Sequence, residues 1–307
     1  MNKIALFVAS LLMSISSFAQ WTKPAAPAVA PMSVDEECYL YNKGADGFLL
    51  GANDWETRAS VSPTLGHKVY IQNGTAEGSY YIANYVLKGG MKDQIGYMFM
   101  DAWDAIYVDN TKEGKENNQY TFEVQGDGTY KIGLSAQNKA FNPTEYTGAY
   151  LGVIVPKNDT RIYICDPENS EGYFASDFQT VWYFVSPADY ESYTGAMKVY
   201  LAAMALSQSI EEAEAVAGVD ADVLAEAKAA YGNTSSSADA LEASKKALDI
   251  AIFQAKLAQA TDSAPVEVLP IIGIASDFND GSFAGWTSTT GASTSRLLME
   301  TMRKILL

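Results

Sequence analysis

Between about residues 34 and 187 the apolar positions fall in short alternating runs, broken by Asn, Asp and Gly. A period of two is the signature of half-buried strands, and the breaks are turn residues. The runs recur in one order. An opening strand reads Tyr39-Leu40-Tyr41-Asn42, then Tyr81-Ile82-Ala83-Asn84, then Tyr130-Lys131-Ile132-Gly133. A glycine-led aromatic strand follows at Gly47-Phe48-Leu49-Leu50, Gly96-Tyr97-Met98-Phe99 and Gly148-Ala149-Tyr150-Leu151. A third strand is clear at Ile106-Tyr107-Val108-Asp109 and Ile162-Tyr163-Ile164-Cys165, with Ala59-Ser60-Val61 a poorer match. Closing strands read Val69-Tyr70-Ile71, Thr121-Phe122-Glu123-Val124 and Trp182-Tyr183-Phe184-Val185. Three copies of four strands predict a β-trefoil over 34–187, with six strands closing a barrel and three hairpins capping it. A generic β-sandwich or barrel is the alternative.

At Pro187 the pattern changes to a helical one. Tyr193, Met197, Tyr200 and Met204 share one face, Val223, Leu224, Ala227 and Tyr231 a second, and Leu241, Leu248, Ile252 and Ala255 a third. Spacings of three, four and seven predict amphipathic helices. Gly218 with Asp220, and Gly232-Asn233 with the serines after it, mark the breaks. An all-α three-helix spacer over 188–260 is expected. Its Ala-rich stripes bury little area, so it should lean on its neighbours.

A Pro/Ala linker over 21–33 reads as an extended spacer with little capacity to pack. A second linker at 261–270 includes Asp262-Ser263-Ala264, which resembles an O-glycosylation acceptor or is a plain polar turn. The last stretch, 271–307, reads as the truncated start of a β-sandwich module. Only a short chain remains after Trp286, against about 100 residues for such a domain. The basic tail from Arg296 to Leu307 differs in composition from everything before it and reads as non-native sequence, as after a frameshift.

Residues 1–20 have the three parts of a secretory signal: Lys3, an apolar run from Ile4 to Met13, and Ser17-Phe18-Ala19 before the cut. The run is too short to anchor in a bilayer. A secreted or periplasmic/outer-surface protein is expected, with no membrane insertion after cleavage. The chain has 307 residues and a formal net charge of −16, which disfavours nucleic acid as a partner, since phosphate binding is carried by Lys and Arg. The two cysteines, Cys38 and Cys165, could form a disulfide in an oxidising compartment; two buried free thiols are the alternative.

The 38–190 region resembles the N-terminal ricin-B-like β-trefoil modules of exported Bacteroidetes proteins. The residues that carry the resemblance run from Tyr39 to Asn42, from Gly47 to Trp55 and from Thr57 to Ser60, with Gly148 to Gly152 and Val181 to Ser186 at the far end. Such modules commonly accompany polysaccharide-processing systems, so the resemblance implies glycan binding. Ricin-type lectins carry Gln-x-Trp in each repeat; this chain has Gln179-Thr180-Val181-Trp182, once and with different spacing. Asp277 to Trp286 resembles the first strand of a galactose-binding-like jelly roll.

No catalytic constellation stands out, and neither a cofactor nor a metal site is expected. The single histidine, His67, sits in Gly66-His67-Lys68 and reads as a solvated turn residue. Sugar sites set an aromatic ring against the apolar face of a pyranose and use Asp or Asn to accept from its hydroxyls. Asn53, Asp54 and Trp55 form one such grouping; Asp101, Trp103 and Asp104 form another. These six are the candidate ligand-binding residues. Trp182, in a closing strand, reads as core. The function expected is non-catalytic carbohydrate recognition. The alternatives are the ancillary front part of a truncated glycoside hydrolase or peptidase, and an adhesin, scaffold or trefoil-type protease inhibitor.

Overall fold

A computed structural model describes residues 21–101, 105–112, 117–141, 149–166 and 174–263. The signal over 1–20, Trp103, Asp104, linker residues 264–270 and the segment 271–307 lie outside the described residues. The chain divides after Ala255 into two units, and of the second only the helical stretch up to Ser263 is described.

The first unit opens with β1 (Glu37–Asn42), β2 (Gly47–Ala52), β3 (Arg58–Ser62) and β4 (Val69–Asn73). Then come β5 (Tyr80–Tyr85), β6 (Ile95–Met100), β7 (Ile106–Asn110) and β8 (Gln119–Val124). Next are β9 (Tyr130–Leu134), a short helix α1 (Ala136–Phe141), β10 (Tyr150–Ile154), β11 (Ile162–Cys165), β12 (Phe178–Gln179) and β13 (Val181–Val185). Three helices follow: α2 (Pro187–Ala215), α3 (Ala221–Gly232) and α4 (Ala238–Ser263).

The pairing corrects the expected β-trefoil. Going round, β9, β13, β1, β2, β3, β7, β6, β5 and β8 each pair antiparallel with the next, and β8 returns to β9. The result is a closed nine-strand antiparallel barrel with extra strands, followed by helices. Of the extra strands, β4 braces the ring by pairing with β1 and β5, and β10 carries β11 and β12. The strand beats in the sequence say where strands form, whereas closure depends on long-range partners. The decisive junction is β3 to β7, where Arg58 lies opposite Tyr107 and the Val108 N–H donates to the Thr57 carbonyl at 3.0 Å. It joins two hairpins into the ring, where the expected fold kept them as separate caps.

Inward-facing Leu40, Leu49, Ile71, Ile82, Val108 and Phe184 fill the interior. Trp182 is also in this core, its indole N–H donating to the Leu151 carbonyl at 2.7 Å. His67 is not a solvated turn residue: it is 1% exposed. Its Nε2 accepts from the Gly51 N–H at 3.2 Å, so Nδ1 carries the proton and donates to Asn84 Oδ1 at 2.7 Å. Asn84 in turn donates to the carbonyls of Gly96 (3.1 Å) and Val108 (3.0 Å). One buried amide therefore ties β5 to β6 and β7. Burial holds the His67 pKa below its ordinary value, partly opposed by the bond to Asn84.

Of the two states open to Cys38 and Cys165, the unbridged one is found: neither forms a disulfide, and they lie on β1 and β11, strands that do not pair with one another. Burial, reinforced by Glu37 and Glu36, pushes the Cys38 thiol up to about 12, so it stays protonated.

Helix α2 starts at a capped Ser186, whose hydroxyl accepts from the Asp189 N–H at 3.1 Å. Its first turns lie on the barrel, with Tyr190 stacked on Tyr39 at 3.5 Å between ring centroids and Tyr193 edge-on to Phe48 at 5.7 Å. The Pro/Ala segment is no loose spacer either. The Ala30 N–H donates to Phe184 O at 2.8 Å, the Tyr183 hydroxyl donates to Pro27 O at 3.0 Å, and the Trp21 indole donates to Tyr231 O at 2.8 Å. Lys23 pairs with Asp46, which also accepts from Tyr41 and Tyr193. Proline fixes an extended path, and this path has donors and acceptors to meet on both sides.

Candidate functional site

Alternation in β6 and β7 builds the floor of a surface cleft. In β7, Ile106 and Val108 are buried while Tyr107 and Asp109 are half-buried on the opposite face. In β6, Met98 and Met100 are buried and Phe99 is turned outward. Phe99 lies directly opposite Tyr107, next to a register shift in β6, and the two rings stack at 5.6 Å and 27°. Such a cross-strand aromatic pair stabilises a sheet by up to about 1 kcal/mol.

The third ring comes from the β2–β3 turn. Ala52 and Arg58 close the hairpin, and the residues between them form a tight turn. Asn53, Trp55 and Glu56 all have positive φ there, 57°, 51° and 63°. An L-residue in this region costs about 1–2 kcal/mol, and a bulky one is seldom held in it. Trp55 is nevertheless 80% exposed, its ring 6.3 Å from that of Tyr107. The turn rests on Gly89 (φ +79°), where a Cβ would meet Thr57 Cγ2 at 2.5 Å and Trp55 O at 3.1 Å.

Trp55, Thr57, Phe99, Asp101, Tyr107 and Asp109 line one open cleft of about 230 Å3. Burial raises the Asp109 pKa above the ordinary carboxylate value, opposed by a hydrogen bond from the Thr57 side chain. Behind the cleft, the buried Arg58 guanidinium lies 5.4 Å from the Tyr107 ring and 5.3 Å from that of Tyr163. Arg161 pairs with Asp159 at 2.8 Å and approaches Asp54 at 4.0 Å.

The sequence therefore placed two of the cleft's residues, Trp55 and Asp101, which the fold brings together from separate loops. Asn53 and Asp54 flank the cleft without lining it: Asn53 donates to Ser60 Oγ at 3.0 Å, and Asp54 faces Arg161. Phe99, Tyr107, Asp109 and Thr57 were not singled out. The signal for three of them was present in the outward positions of two alternating strands. Among the described residues, no group of three or more His, Cys, Asp or Glu is placed to hold a metal ion. No helix there is long and apolar enough to cross a membrane.

No family model and no curated protein matches the chain. Among solved structures it is similar to lysenin in complex with phosphocholine, at 10% identity and a TM-score of 0.35, covering 52% of this chain and 47% of that one. It is also similar to a GH43 β-1,3-galactosidase, at 11% identity and a TM-score of 0.36, covering 54% of this chain and 33% of that one. The chain thus spans about half, or a third, of the length of these proteins, and likenesses of this size assign neither family nor activity to it.

Proposed function

We propose that this is an exported, non-catalytic binding protein that recognises carbohydrate in the Trp55–Tyr107 cleft. One observation carries the reading: a tryptophan held at a left-handed backbone angle and 80% exposed, beside a second ring and two carboxylates. Barrel stability does not require this. Leaving a large ring in water forgoes about 1.5–3 kcal/mol of burial, and the backbone angle adds strain. A pyranose resting its C–H face on Trp55 would recover that area, with its hydroxyls donating to Asp101 and Asp109.

The test is a glycan array probed with the purified chain and with Trp55→Ala, both checked by circular dichroism. Binding to a defined glycan set that Trp55→Ala loses supports the reading. Absence of binding across a broad array overturns it.

A further inference from the structure

We infer that the glycan this cleft selects carries an amine, so that its ligand is a cationic amino sugar rather than a neutral or acidic one. The inference rests on the carbohydrate reading and narrows it. Its ground is the juxtaposition of three aromatic rings and two carboxylates, Trp55, Phe99, Tyr107, Asp101 and Asp109, around a single cleft.

Neutral-sugar sites need a ring and hydrogen-bonding groups of either polarity. This lining is narrower in its charge. Its polar groups are two carboxylates, the Thr57 and Tyr107 hydroxyls and the Trp55 indole N–H, and none of its six residues is a Lys or Arg. Aromatic faces attract cations within about 6 Å of the ring centroid, by about 2 kcal/mol or more when water is excluded. The Trp55 and Phe99 rings lie 6.3 and 5.6 Å from Tyr107, so a group resting on the cleft surface borders more than one ring. Asp109 sits where burial disfavours its charge. A carboxylate in that state gains most from a cation that replaces its lost water. Thr57 supplies one of the hydrogen bonds Asp109 can accept, and a carboxylate accepts several.

The neighbouring charges agree. The Arg58 guanidinium is buried behind Tyr107 and is not part of the lining, whose charged side chains are the two carboxylates. Arg161 is turned to Asp159, which it holds in a charged pair, and its other acidic neighbour is Asp54. A uronate or sulfate would therefore face two acids in the cleft and a chain of net charge −16. At about 230 Å3 the cleft is below the roughly 300–1,000 Å3 of pockets that enclose drug-sized ligands, which fits one sugar residue with its substituent.

The experiment is calorimetric titration of the full chain with a glucosamine tetramer, its N-acetylated form and the glucose tetramer of the same linkage, below the pKa of the amine. The glucosamine tetramer should bind at least about tenfold more tightly than the other two. Asp109→Asn should remove most of that preference, lowering the affinity for the glucosamine tetramer by more than it lowers that for the neutral tetramers. Equal affinities for all three, lost in Trp55→Ala, would overturn the amine preference and leave the carbohydrate reading standing. Glucosamine-tetramer binding that survives Trp55→Ala would be attraction to the acidic surface and would also overturn it. No binding of these tetramers, with a positive array elsewhere, removes the amine preference alone; no binding to any glycan removes both.

Discussion

Asn84→Ala should cost this barrel about 3–5 kcal/mol. The side chain is fully buried and makes three hydrogen bonds: from His67 Nδ1, and to the carbonyls of Gly96 and Val108. Truncation leaves the His67 N–H in the interior with its acceptor gone, worth about 1–3 kcal/mol, and removes two further bonds at about 1 kcal/mol each. For a domain of this size the loss corresponds to a fall in Tm of about 6–20 °C. Thermal and urea unfolding followed by near-ultraviolet circular dichroism would measure it. Because Val108 sits between Tyr107 and Asp109, the same variant should weaken ligand binding even where it remains folded. A change within about 0.5 kcal/mol, the range of an ordinary surface substitution, would refute the buried-network argument.

Stability should also fall in mild acid through His67. Its folded pKa is depressed, so as pH drops the unfolded chain takes up the proton first. The contribution is complete above the ordinary imidazole value of 6.5 and declines as pH falls below it toward the folded value. Urea midpoints at neutral and mildly acidic pH should diverge in the parent and converge in His67→Gln; an unchanged slope would contradict this. Gly89→Ala should lower glycan affinity without replacing any residue that lines the cleft. It forces a φ of +79° on an L-residue at about 1–2 kcal/mol and pushes a Cβ against Thr57 and the Trp55 carbonyl. Full affinity with an unchanged Tm would show that Trp55 does not depend on this support.

Local elements were legible in the sequence because they obey local rules. Alternation marked β6 and β7, and the switch to a 3.6 period at Pro187 marked the change to helices. The ring closure was not legible, since it depends on Arg58 meeting Tyr107 across a long stretch of chain. His67 was misplaced for a related reason. Its flanking Gly66 and Lys68 give a polar local context, whereas its burial comes from Gly51 and from Asn84. At the site, Trp55 stood out as a large ring in a polar loop, but the face on which Tyr107 and Phe99 emerge is settled only when β6 and β7 pair. The Pro/Ala segment looked unable to pack because its side chains are small; its contacts are made by Trp21, Lys23 and the backbone at Pro27 and Ala30.

The most direct test of the central claim is the affinity of the best array glycan for the parent chain and for Trp55→Ala, measured by calorimetry with Tm recorded alongside. The account predicts at least a tenfold loss of affinity, or about 1.4 kcal/mol, with little change in Tm, because the exposed ring contributes to binding and not to the core. Equal affinities in the two proteins would contradict it.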